Sequence, residues 1–145
     1  MKKKLKKDWF GRLKNKEEIH QDSKEWISEI EFIQDEIRFL DRLLGSNYIE
    51  CLESGYSEKV KELKMVIEQE SSNGKTLHKI IVDHEKVLSE LIENESIDSN
   101  LHYLEIHERL EREMFSFLTT YKNLKKDIYD LVDKIMEKKK MKKLP

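Results

Sequence analysis

The chain has 145 residues, enough for one domain with a sizeable core. Charged residues make up 40% and apolar residues 37%, against about 25% and 45–50% in ordinary globular domains. Four Gly and one Pro, the Pro being residue 145, exclude a turn-rich all-β fold, a Gly-rich phosphate loop and a collagen-like chain, and the single cysteine, Cys51, excludes an internal disulfide framework. Long, heavily charged helices are what remains.

The net charge of −2 hides a segregation. Residues 1–16 carry +7, residues 134–143 carry +5, and the stretch between them carries −14. At the N-terminus, Leu5, Trp9 and Leu13 recur every four residues, so a short helix would gather them opposite the lysines. That pattern suits an anionic membrane surface or a protein partner, and the same lysines suit nucleic-acid phosphates with Trp9 or Phe10 stacking on bases. A solvated tail is the plainer reading. The residues placed in such contacts are Lys2, Lys3, Lys4, Lys6, Lys7, Trp9, Phe10 and Arg12. At the other end they are Lys138, Lys139, Lys140, Lys142 and Lys143. No apolar run follows the first lysines as a secretory signal requires, and no stretch of about 20 apolar residues is present. With one lone cysteine, this leads to a cytoplasmic expectation.

The first long segment places Trp26, Ile30, Ile33, Ile37, Leu40 and Leu44 at alternating steps of four and three, the seam of an amphipathic helix. Asp22 or Ser23 is its expected N-cap. Tyr48 and Cys51 keep the spacing past Gly45-Ser46-Asn47, so the helix is predicted over about 18–53, with a turn at Ser54-Gly55. The second seam reads Val60, Leu63, Ile67, Glu70, Gly74, Leu77, Ile81, His84, Leu88 and Leu91. Ser71-Ser72-Asn73-Gly74 looks like a loop, yet the phase does not reset across it. One helix over about 57–95, weak or kinked near 71–75, is predicted; the alternative is a break there and a four-helix bundle. The third seam runs from Tyr103 through His107, Leu110, Met114, Phe117, Tyr121, Leu124, Ile128 and Leu131 to Ile135. Leu104, Leu118 and Val132 widen it, as a helix touching two neighbours needs. This helix is predicted over about 99–138.

Three segments of similar length joined by short connections predict an elongated, antiparallel three-helix bundle, roughly 54–60 Å long at the α-helical rise. The division is a basic, flexible or amphipathic tail at 1–16, the bundle at 17–138, and a basic tail at 139–145.

Three seam positions are polar: Glu70, His84 and His107. Folding back about residue 55 brings His84 level with Trp26, and folding back about residue 97 brings His107 within a turn of it. Asp83 and Glu111 fall on the seam margins. Two histidines and a carboxylate inside a bundle are suggestive of a metal centre, with His84, His107 and Glu111 as the candidate ligands. No Glu precedes either seam histidine by three residues, and neither His-Glu pair extends to His-Glu-x-x-His. The plainer expectation is a pair of buried histidines bonded to each other, to a carboxylate or to the Tyr103 hydroxyl. Glu70 is expected to turn outward or to pair with Lys125. Cys51 sits on a seam as a small apolar group, and no nucleophile constellation, catalytic residue, cofactor site or small-molecule pocket is evident.

The run Glu-Ile-Glu-Phe-Ile-Gln-Asp-Glu-Ile-Arg-Phe-Leu-Asp-Arg-Leu-Leu at 29–44 resembles a recurrent opening in small uncharacterised helical, coiled-coil proteins of Bacteroidetes-type bacteria. Tyr121-Lys-Asn-Leu-Lys-Lys-Asp-Ile resembles them also. The resemblance implies a bacterial source and carries over no known activity. In outline alone the arrangement is similar to spectrin repeats. The expected role is a non-enzymatic interaction or scaffold protein, with a protein partner or self-association. The alternatives are an anionic membrane- or nucleic-acid-binding protein acting through its tails, and a metal-binding bundle.

Overall fold

A computed structural model describes residues 14–91 and 101–142. Among these residues the chain is all-helical, with four helices: α1 (Lys16–Ser46), α2 (Tyr48–Glu53), α3 (Ser57–Glu90) and α4 (Leu101–Lys142). The sequence of residues 1–13, including Lys2, Lys3, Lys4, Lys6, Lys7, Trp9, Phe10 and Arg12, lies outside the described residues, as does Lys143.

α1 starts at Lys16 because Asn15 caps it. The Glu18 N–H donates to Asn15 Oδ1 at 2.9 Å, and the Asn15 N–H reaches back to Glu18 Oε1 at 3.4 Å. This is a reciprocal capping box with Asn in the cap position. The expected cap at Asp22 or Ser23 is therefore corrected: both residues lie inside the helix, where Asp22 meets Lys14 and His107 and the buried Ser23 hydroxyl has no hydrogen-bond partner among the described residues.

The boundary after Ser46 also departs from expectation, since the helix predicted to run to about 53 is divided at Asn47. The Leu43 carbonyl accepts from the Ser46 hydroxyl and from the Asn47 side-chain amide, each at 2.9 Å. The Asn47 N–H turns to Leu44 O at 3.2 Å, one residue short of the α-helical acceptor. Side chains thus compete with the backbone ladder for one turn. The fourth helix arises here, and not at 71–75, where α3 runs through.

The turn into α3 closes on Gly55, whose φ of +83° is left-handed. Tyr56 N–H donates to Cys51 O at 2.9 Å and Gly55 N–H to Leu52 O at 3.2 Å, the two bonds of a Schellman motif. α4 continues to Lys142, about four residues beyond its predicted end, so Lys139, Lys140 and Lys142, expected in the tail at 139–145, are helical.

The chain forms two compact units, each supplied by segments of α1, α3 and α4. The described part of the first comprises 14–31, 75–91 and 101–116. Ile19, Leu88, Tyr103 and Leu104 pack there as a cluster, with Leu91 against it. His20 meets Glu85, and His78 Nε2 lies 3.1 Å from Glu31 Oε1, so α3 descends as α1 rises.

The second unit comprises 32–74 and 117–142. Gln34 Nε2 donates to Ser71 O at 2.9 Å and Lys64 Nζ to Asp41 at 3.3 Å, again an antiparallel α1–α3 pairing. Lys125 pairs with Glu36, and Lys139 Nζ with Glu50 at 2.8 Å, so α1 and α2 run parallel to α4. The predicted seams are buried in both units, with Trp26 and Leu91 half-buried and Tyr48 exposed.

Candidate functional site

The buried polar cluster of the first unit grows from three seam positions on three helices. His84 on α3 and His107 on α4 are buried, and Trp26 on α1 covers them. His84 Nε2 lies 2.9 Å from His107 Nδ1. His107 Nε2 lies 3.0 Å from Asp22 Oδ2, and the same oxygen accepts from Lys14 Nζ at 2.6 Å. Lys14 is also 3.7 Å from Glu111 Oε2. The Tyr103 hydroxyl donates to the His84 backbone carbonyl at 3.0 Å.

Trp26 stacks on His107 with centroids 4.7 Å apart and His84 on Tyr103 at 4.1 Å, while His84 and His107 meet edge to edge with centroids 5.1 Å apart.

The hydrogen bonds set the tautomers. Burial alone would raise the Asp22 carboxyl, but hydrogen bonds from His107 and Lys14 outweigh it and hold it below the usual range. An ionised carboxylate only accepts, so His107 carries its proton on Nε2 and donates it to Asp22. With Nε2–H committed to Asp22, the His107 Nδ1 is the atom that faces His84 Nε2, and one N–H lies between them. Burial first, and the neighbouring His107 second, push His84 down to about 4, so His84 is neutral at ordinary pH. Lys14 loses from burial but gains more from Asp22 and Glu111, and its pKa rises. Burial and the Glu85 charge raise the Tyr103 phenol. Lys14 faces both Asp22 and Glu111, so the carboxylates of the cluster exceed its lysine by one charge.

No family model, curated protein or solved structure matches the chain.

The three residues considered for a metal meet different fates. His84 and His107 come together, but their facing nitrogens at 2.9 Å point at each other. Two metal–nitrogen bonds of about 2.0–2.1 Å do not fit that gap without moving a ring. Glu111 joins the Lys14 side of the network and not the histidines. Among the described residues, no three His, Cys, Asp or Glu side chains are arranged to hold a metal ion.

The sequence spacing brought Trp26, His84 and His107 into neighbouring layers but did not single out Asp22 as the carboxylate. The available signal was Asn15-x-x-Glu18, which moves the helix start upstream and leaves Asp22 inside the helix. Asp83, expected nearby, is exposed.

Glu70, in the second unit, is corrected more sharply. It is 2% exposed instead of turned outward, and its Oε2 has no hydrogen-bond partner among the described residues. Burial raises its carboxyl to about 7. Lys125 is taken by Glu36 instead. Hydrogen bonds from Lys125 and Tyr121 overcome the effect of burial and hold Glu36 low, while burial and Glu36 push Tyr121 up to about 12.

The C-terminal lysines have partners within the second unit. Lys138 Nζ donates to Ser54 O at 3.2 Å and sits 4.7 Å over the Tyr56 ring, and Lys139 holds Glu50. These contacts fasten α4 to the α2–α3 turn. Lys140 is exposed. Among the described residues, no helix is long and apolar enough to cross a membrane.

Proposed function

We propose that the chain is a non-enzymatic helical interaction module, built as an antiparallel three-helix bundle in which α2 continues α1. The observation that carries this reading is a set of large apolar side chains left exposed at heptad spacing in the second unit. Phe32 and Phe39 are seven residues apart on α1, 64% and 47% exposed. Tyr129 and Met136 repeat that interval on α4, and Met136 is 60% exposed. The Glu36–Lys125 pair joins the α1 and α4 edges between them. On each helix the exposed residues stand next to that edge, on the side away from the core seam. Repeated aromatic exposure along one edge favours docking of another helix over scattered surface hydrophobicity.

The occupant is a protein partner or a second copy. A photo-cross-linking residue at Phe39 or Tyr129 is expected to give discrete adducts, and one at the exposed polar position Glu62 is not. Phe32→Ser/Phe39→Ser is expected to keep the helical circular dichroism and lose the adducts formed from Tyr129. Adducts unaffected by the double substitution would sink the proposal. Binding through the basic ends draws less support, because Lys138 and Lys139 are engaged within the second unit. Co-sedimentation of the full chain and of residues 17–133 with anionic liposomes and with DNA checks that alternative.

A further inference from the structure

All five histidines of the chain, His20, His78, His84, His102 and His107, fall in the first unit, and none falls in the second. Two of them are locked ring to ring in its interior. We propose that the His84–His107 contact is a proton-operated latch between α3 and α4 in the first unit, which mild acid releases.

The facing nitrogens can hold only so many protons. At rest, one N–H occupies the 2.9 Å gap between His84 Nε2 and His107 Nδ1. One added proton can be placed if His107 carries both N–H groups and His84 shifts its own proton to Nδ1. Asp22 then faces the new charge. A second added proton puts an N–H on both sides of the gap. Two donors cannot share that distance, so the rings must part. In the open chain, each ring takes its proton independently near its ordinary pKa. Acid therefore pulls the equilibrium toward the open form.

The surrounding charges oppose this only partly. From the α1 side the pair faces Asp22 and Lys14, which are joined to each other. From α3 comes Glu85, which is engaged by His20. From α4 come Tyr103 and Glu111, the latter beside Lys14. The His20–Glu85 and His78–Glu31 pairs lie near the surface, where such pairs contribute little. Burial acts in the same direction as the latch, holding His84 near 4 in the closed form.

Parting the rings also breaks the Trp26–His107 stack and removes support from Tyr103 in the cluster with Ile19, Leu88 and Leu104. The response belongs to the first unit. In the second, the buried Glu70 is favoured by acid.

Amide hydrogen exchange of the full chain, corrected for intrinsic rate, tests the proposal at about pH 7.5 and about pH 5. A shift of His84 from 6.5 to about 4 gives about thirtyfold more opening at the lower pH. That loss of protection is expected over 78–90 and 103–112, with none over 60–70 or 121–135. His84→Gln keeps a donor facing His107 and cannot titrate, so it is expected to abolish the loss. Unchanged protection in the wild type would overturn the latch, as would an equal loss in His84→Gln. Should that variant not fold, imidazole nitrogen shifts of the wild type decide. Both rings becoming doubly protonated while protection stays intact would overturn the proposal.

Discussion

At Glu70 the side chain is 2% exposed, Oε2 finds no hydrogen-bond partner among the described residues, and burial raises the carboxyl to about 7. The folded state therefore holds a proton that the unfolded chain releases near 4.5. Stability is full below 4.5 and declines as pH rises to about 7, by on the order of 3 kcal/mol. Glu70→Gln is expected to raise the urea midpoint at about pH 8 and to change it little at about pH 4, because a neutral amide resembles the protonated acid. An equal shift at both pH values would show that Glu70 is ionised in the fold. His84 has the opposite sign. Its folded pKa of about 4 lies below its ordinary 6.5, so stability is full above 6.5 and is lost as pH falls toward 4. That loss is also on the order of 3 kcal/mol.

At the scale of the helix, two small-residue positions have different reasons. Gly74 is buried on α3, and an added Cβ there would overlap the Gln34 side-chain amide and meet Phe117 Cζ at 3.1 Å. Gln34 can swing away, but it then gives up its bond to Ser71 O. Losing that bond costs about 1 kcal/mol, and replacing Gly by Ala in a helix returns about 1 kcal/mol. Gly74→Ala is therefore expected to leave the urea midpoint near the wild-type value. In a Gln34→Ala background, where no bond remains to lose, it is expected to stabilise by about 0.5–1 kcal/mol. Asn47 is a different case, because its side chain and that of Ser46 hold Leu43 O away from the backbone ladder. Ser46→Ala/Asn47→Ala is expected to join α1 and α2 into one helix, read as helical carbon chemical shifts without interruption over 44–51. A persisting break would place the cause in the α2–α3 turn and not in the two side chains.

For the molecule as a whole, the two buried titrations lie in different units and oppose each other over nearly the same pH range. Where the chain unfolds in one transition, they largely cancel between about pH 4.5 and 6.5. A flat melting curve in the wild type is thus compatible with a buried histidine, because Glu70 compensates for it. The single variants uncover the parts. Glu70→Gln is expected to lose stability from about pH 7 to about pH 5, and His84→Gln to gain it, with thermal unfolding as the measurement. If both variants follow the wild-type curve, neither group is buried as described.

The sequence by itself determined the helical class, the buried stripes and the passage of α3 through residues 71–75. Those follow from an apolar phase that is local in the chain and survives Ser71-Ser72-Asn73-Gly74 unbroken. It also placed Trp26, His84 and His107 in neighbouring layers, since a fold-back about a short turn fixes levels to within a helical turn. The tertiary structure decided the partners: Asp22 and not Glu111 for His107, Glu36 and not Glu70 for Lys125, and Glu50 and Ser54 for the basic end of α4. A hydrogen bond is made or lost within about half an ångström, whereas periodicity places a side chain only to within a turn, about 5.4 Å. Which carboxylate meets which cation is settled by the register between helices distant in sequence, and no local pattern records that register.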